Sequence, residues 1–152
     1  MRPGDNGVQI ELDGTALELT EGEWSDWVGV SFPFMGLASV KGMVRLHLVQ
    51  DFPRVQLYVS PIHVDPRDPV VPLSSPPDYA SKLADEIGLY HTLGMPEETW
   101  SLNEGHLSDH AYLEMVRTIL AEREAMFYSS LDAQDSELVV GVFVQTDRVS
   151  HM

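Results

Sequence analysis

The sequence predicts an α+β fold in two parts: a β-rich lobe over residues 1–75, and a helical segment with one closing strand over residues 76–152. Three observations carry this. Short runs with period-two alternation, such as Val8-Gln9-Ile10-Glu11-Leu12, fill the first sixty residues. Six of the ten prolines then fall between Ser60 and Pro77, which ends the strand pattern. Beyond them, apolar residues recur at spacings of three and four, as along a helix.

The elements follow in order. Asp13-Gly14 is a strong signal for a tight hairpin turn, so Val8–Leu12 and Ala16–Leu19 are expected to pair antiparallel. Glu23–Phe32 reads as a strand with two tryptophans, bent at Pro33. Trp24 and Trp27 are an odd number of residues apart and face opposite sides of a regular strand. One packing in the core and one at its rim is the favoured reading, ahead of a stacking surface for a base or sugar. Val40–Val49 and Arg54–Val59 are the next strands, separated by Asp51-Phe52-Pro53, and His47 is expected to point to solvent. In the extended connector, Asp65-Pro66-Arg67-Asp68-Pro69 is read as a salt-bridged turn, with cation or phosphate binding as the alternative.

Pro76-Pro77-Asp78 opens a helix through Tyr79, Leu83 and Ile87 that stops at Gly88. Met95-Pro96-Glu97-Glu98 starts a helical turn leading to Trp100. Ser108 caps the longest helix, with Asp109 in its first turn, where the dipole favours an anion. Its apolar face is Tyr112, Met115, Val116, Ile119, Leu120, Met126 and Phe127. His106 and His110 are four apart, but a cap at Ser108 leaves His106 outside the helix, which argues against chelation. Last comes Leu138, Val139, Val140, Val142 and Phe143, broken only by Gly141. An apolar run without alternation reads as a strand buried on both faces, one core strand of an incomplete α/β domain. Such a strand needs partners, and no further strand is visible in this sequence to pair with it.

Charge narrows the partners. Twenty-four acidic against nine basic residues give a net charge of −15, which repels nucleic-acid phosphate and anionic lipid. Neither nucleic acid nor membrane is expected as a partner, and a phosphorylated ligand needs a local positive centre. Hydrophobic residues at 43% and charged residues at 22% belong to a soluble globular chain. There is no cysteine, no apolar run of membrane-spanning length and no apolar signal core at Met1–Asn6, so a cytoplasmic location is expected.

Directly after the apolar run, Asp147 and His151 stand four apart. In open α/β sheets the chemistry sits just past the carboxyl ends of the strands. A loop or single helical turn there would aim a carboxylate and an imidazole at one ion. Oxygen and nitrogen ligands at short reach suit zinc and similar divalent metals.

Four stretches carry a wider resemblance: Glu21 to Trp27, Ser60 to Pro69, Gly94 to Glu104, and Thr146 to Met152. On them, Glu21–Met152 resembles the middle of bacterial type I phosphodiesterases and nucleotide pyrophosphatases of the alkaline phosphatase superfamily. The resemblance implies a two-metal phosphohydrolase acting on a phosphorylated small molecule, with a Thr or Ser nucleophile. It implies that Asp147 and His151 are the Asp-x-x-x-His pair on one metal, and that residues 1–75 are a β-rich insertion capping the active site. The family's nucleophile lies upstream of the matched region, and a further Asp-His pair and a His lie downstream. The expectation is therefore an internal piece of such an enzyme, with no catalytic residue of its own, binding zinc weakly or not at all and inactive alone. Val144-Gln145 departs from the more acidic or hydroxylic residues expected before the Thr-Asp. The alternative is a non-catalytic acidic module that self-associates through the unpaired 137–144 strand or docks on a partner.

Overall fold

A computed structural model describes residues 7–34, 38–133 and 136–151. It contains small antiparallel sheets and helices, an α+β chain. The chain divides into two units, Met1–Asp65 and Pro66–Met152. The boundary falls inside the proline-rich stretch, and in the second unit Arg67 reaches the first helix through Ala84 O (3.3 Å) and Asp85 Oδ1 (3.5 Å).

The first unit is three hairpins. β1 (Val8–Leu12) pairs with β2 (Thr15–Leu19) across Asp13 and Gly14, whose φ of 49° and 81° are those a tight hairpin turn requires. β3 (Val28–Phe34) pairs with β4 (Ala38–Val44), and β5 (Leu46–Gln50) with β6 (Gln56–Val59). The single strand expected over Val40–Val49 is thus two strands that serve different sheets. The switch falls at Arg45, whose N–H donates to Ser60 Oγ at 2.9 Å and whose Nε donates to Ser25 O at 2.9 Å. Residues Gly22 to Ser25 bond along the other edge of β5: Gly22 N to Leu48 O at 2.7 Å, Leu48 N to Glu23 O at 3.1 Å, and Ser25 N to Leu46 O at 2.7 Å. The core is Leu19, Val28, Val30, Val44, Leu46 and Leu48.

His47 is buried rather than solvent-facing, 4% exposed. The 22–25 segment covers its side of β5, and its Nδ1–H donates to Glu23 O at 3.1 Å. Trp24 and Trp27 are both half-buried, so neither is the core residue expected. Each lies against an imidazole, Trp24 on His47 (ring centroids 4.8 Å apart) and Trp27 on His63 (5.1 Å).

The second unit is helical. α1 (Tyr79–Ile87) ends at Gly88, whose φ of 90° suits glycine and whose N–H returns to Ala84 O. α2 (Thr99–Asn103) is a short turn. α3 (Asp109–Asp132) begins where Ser108 Oγ accepts from Ala111 N at 3.2 Å. Its buried face is Ala111, Tyr112, Met115, Val116 and Ile119, while Met126 and Phe127 are only partly covered. α4 (Gln145–Ser150) closes the chain.

The buried strand expected over 137–144 is not formed. Residues 138–144 have no strand partner among the described residues, and Leu138, Val140 and Val142 are 79%, 76% and 70% exposed. β-branched composition supplies apolar surface, but a strand exists only where a neighbour takes its N–H and C=O groups. Val139 to Phe143 instead run beside α3, lining a cleft with Arg123, Met126, Phe127 and Ser130. Gly141 permits the close approach, since a Cβ there would stand 2.7 Å from the Phe127 ring.

Candidate metal-ligand site

α4 has six residues and no side-chain cap, and the backbone N–H of His151 closes it onto Arg148 O at 3.4 Å. At 3.6 residues per turn, Gln145 and Arg148 share one face, while Asp147 and His151 share another about 110° round the axis. The outward face holds the predicted pair. His151 Nε2 stands 3.4 Å from Asp147 Oδ1, and the two side chains are 72% and 62% exposed.

The inward face meets a buried polar cluster. The side chain of Glu97 is fully buried, with Oε1 accepting from Gln145 Nε2 at 3.0 Å and Oε2 4.0 Å from Arg148 Nε. Glu97 Oε2, Gln145 Oε1 and Arg148 Nε have no hydrogen-bond partner among the described residues. Tyr112 of α3 completes the cluster, its hydroxyl donating to Arg148 O at 3.4 Å. Burial, and then the Glu97 carboxylate, hold the Tyr112 hydroxyl above its usual ionisation range, partly offset by Arg148. Two residues before Glu97, Met95 adopts a φ of 53°, a left-handed conformation that costs an ordinary side chain free energy.

Other candidates separate. His106 packs against Trp100, ring centroids 5.5 Å apart, while His110 pairs with Glu114 at 3.6 Å; the two histidines are engaged with different partners. The His91 side chain is only 5% exposed, and both its Nδ1 and the residue's backbone N–H meet Glu122 Oε2, at 2.7 and 2.9 Å. Arg67 of the 65–69 run bonds to α1, which occupies it as a structural cation.

The outward pair passes half of a test for a metal. Two ligands each about 2.1 Å from a tetrahedral ion stand roughly 3.4 Å apart, and zinc accepts both carboxylate oxygen and imidazole nitrogen. A catalytic zinc takes about three protein ligands, and among the described residues no group of three or more His, Cys, Asp or Glu side chains is placed to hold an ion. No family model, curated protein or solved structure matches this chain. Among the described residues no helix is long and apolar enough to cross a membrane.

The spacing of Asp147 and His151 puts them near each other, and they stand 3.4 Å apart, whereas the cluster beneath them has no counterpart in the sequence pattern. Glu97 and Glu98 are adjacent acidic residues, and nothing in the pattern marks the first as buried. Gln145 directly after an apolar run was the one available signal.

Proposed function

We propose that Asp147 and His151 are two ligands of one divalent metal, zinc by preference, in a phosphohydrolase related to the type I phosphodiesterases and nucleotide pyrophosphatases. The observation that carries this reading is the 3.4 Å approach of His151 Nε2 to Asp147 Oδ1 on one exposed helical turn. The four-stretch resemblance supports it by placing the same two residues on the family's metal. Spacing alone does not, since His110 and Glu114 make a similar pair at 3.6 Å. In this reading the remaining ligands and the nucleophile come from segments outside this sequence. A bound metal supplies the positive centre that a chain of net charge −15 otherwise lacks for a phosphorylated small molecule. The two residues of this chain hold and orient that centre.

Hydrolysis of an aryl phosphodiester by the purified chain, with zinc or manganese present, tests this division of labour. The expected result is no turnover. Robust turnover abolished by Asp147→Ala would show that these residues suffice, against the proposal.

A second reading draws on the exposure of Leu138, Val140 and Val142. An apolar segment with no strand partner among the described residues is a ready template for another chain. The protein would then be an acidic association module, and light scattering over a concentration series should show self-association. A monomer at every concentration would remove self-association from this reading.

A further inference from the structure

We infer that Glu97 is a positioning residue: through Gln145 and Arg148, its buried carboxylate fixes the α4 turn that presents Asp147 and His151 together. The inference concerns how the turn is held, and it stands or falls independently of whether a metal binds the pair.

The argument starts from how little else holds α4. Six residues are far below the length at which a helix persists in water by itself, and this one lacks a side-chain cap. The segment entering it, 138–144, has no strand partner among the described residues. Apolar burial contributes little, because Val149, the one apolar residue of the helix, is 39% exposed. What remains is the polar inward face. Gln145 donates to Glu97, Arg148 stands over the other carboxylate oxygen, and Tyr112 bonds the Arg148 carbonyl. A carboxylate is buried only where partners compensate it, and here two of the partners belong to the helix in question.

The local backbone fits the same role. Met95 takes its left-handed φ while the residue is 68% exposed, so burial of Met95 does not explain the conformation. The turn instead delivers Glu97 inward. Glu98, one residue on, accepts locally from Ser101 Oγ at 3.3 Å and serves as an internal comparison.

Amide hydrogen exchange read residue by residue tests the inference, on the full chain and on Glu97→Gln, Glu98→Gln and Gln145→Ala. Glu97→Gln keeps the size of the side chain and leaves Arg148 without its counter-charge. Exchange at Arg148, Val149, Ser150 and His151 should rise about tenfold or more, while the α3 amides from Met115 to Ile119 stay protected. Gln145→Ala removes the other link, the Gln145 Nε2–Glu97 Oε1 bond, from the helix side and should give the same local signature, which keeps the test open if Glu97→Gln folds poorly. Glu98→Gln should leave α4 unchanged. The second readout is Mn²⁺ broadening of the Asp147 and His151 resonances. Its apparent affinity should fall about tenfold in Glu97→Gln, although neither ligand is altered. Exchange in α4 within twofold of the parent in both Glu97→Gln and Gln145→Ala overturns the inference, as does an equal rise in α3 and α4. If Mn²⁺ leaves the parent unbroadened while Glu97→Gln still frees α4, the metal reading fails and the positioning role stands.

Discussion

β5 and the 138–144 segment both carry Leu and Val runs, and they end in opposite states. β5 carries Leu46 and Leu48, both essentially inaccessible, and bonds to β6 on one edge and to Gly22–Ser25 on the other. The later segment carries Leu138, Val140 and Val142, all more than two-thirds exposed, with no strand beside it among the described residues. The difference is not in side-chain chemistry. It lies in the partners: β5 has a hairpin return in β6 and an earlier segment on its free edge, whereas among the described residues no second strand lies beside 138–144. Apolar, β-branched composition is permission to form a strand, and backbone partners decide whether one forms.

Truncation should expose the contrast most strongly. Leu48→Ala leaves a cavity in the first unit and should cost about 2–5 kcal/mol of its stability by urea unfolding. Val140→Ala should change stability by no more than about 0.5 kcal/mol. Comparable losses at the two sites would mean that the 138–144 segment is packed in solution.

The glycines of the two regions sharpen the comparison. A Cβ at Gly42 in β4 would meet Ile62 Cγ2 at 2.5 Å and the backbone oxygen of His63 at 3.0 Å. Gly42→Ala should therefore destabilise by about 1–3 kcal/mol, because the backbone cannot yield. At Gly141 the clash is with the Phe127 side chain, which can turn aside at the edge of a cleft. Gly141→Ala should cost less than Gly42→Ala in the same unfolding assay, and the reverse order would contradict the packing described.

Alkaline pH separates the second unit by another route. Burial holds the hydroxyls of Tyr90 and Tyr112 above their usual ionisation range, reinforced by Tyr79 for the first and by Glu97 for the second. A raised folded-state value means that the folded chain binds the proton more tightly. The associated stability is complete below the unfolded tyrosine value of about 10 and declines as pH rises through the folded values. Unfolding of α1 and α3 followed by circular dichroism should therefore shift to lower urea between neutral pH and pH values above about 10. Tyr90→Phe should flatten part of that decline.

The smallest effect on the single chain, and the one that bears on association, concerns charge on the exposed segment. Val140→Lys with Val142→Lys should leave stability almost unchanged and suppress any self-association seen by light scattering. Unchanged association would place the contact elsewhere.

Much of the local structure was legible because it is written in short-range chemistry. Asp13-Gly14 specified its hairpin, Gly88 its helix stop and Ser108 its cap, each through backbone conformation or a single hydrogen bond. The Asp147–His151 approach was legible for the same reason, being one helical turn. The misreadings are all long-range. His47 is buried by a segment more than twenty residues earlier, and the 40–49 stretch divides at Arg45 because Ser25 and Ser60 bind it from both sides. Glu97 differs from Glu98 only in which helix folds over it, so no local pattern could separate them. The state of the 138–144 run depends on neighbours, which composition does not specify.

A zinc titration of the chain followed by residue-resolved NMR, beside Asp147→Ala and His151→Ala, bears most directly on the proposed role of the α4 turn. The account predicts weak binding whose shifts centre on Asp147 and His151, exceed those at His110 and Glu114, and vanish in both variants. Shifts spread evenly over the acidic surface, and the same in all three proteins, would contradict it.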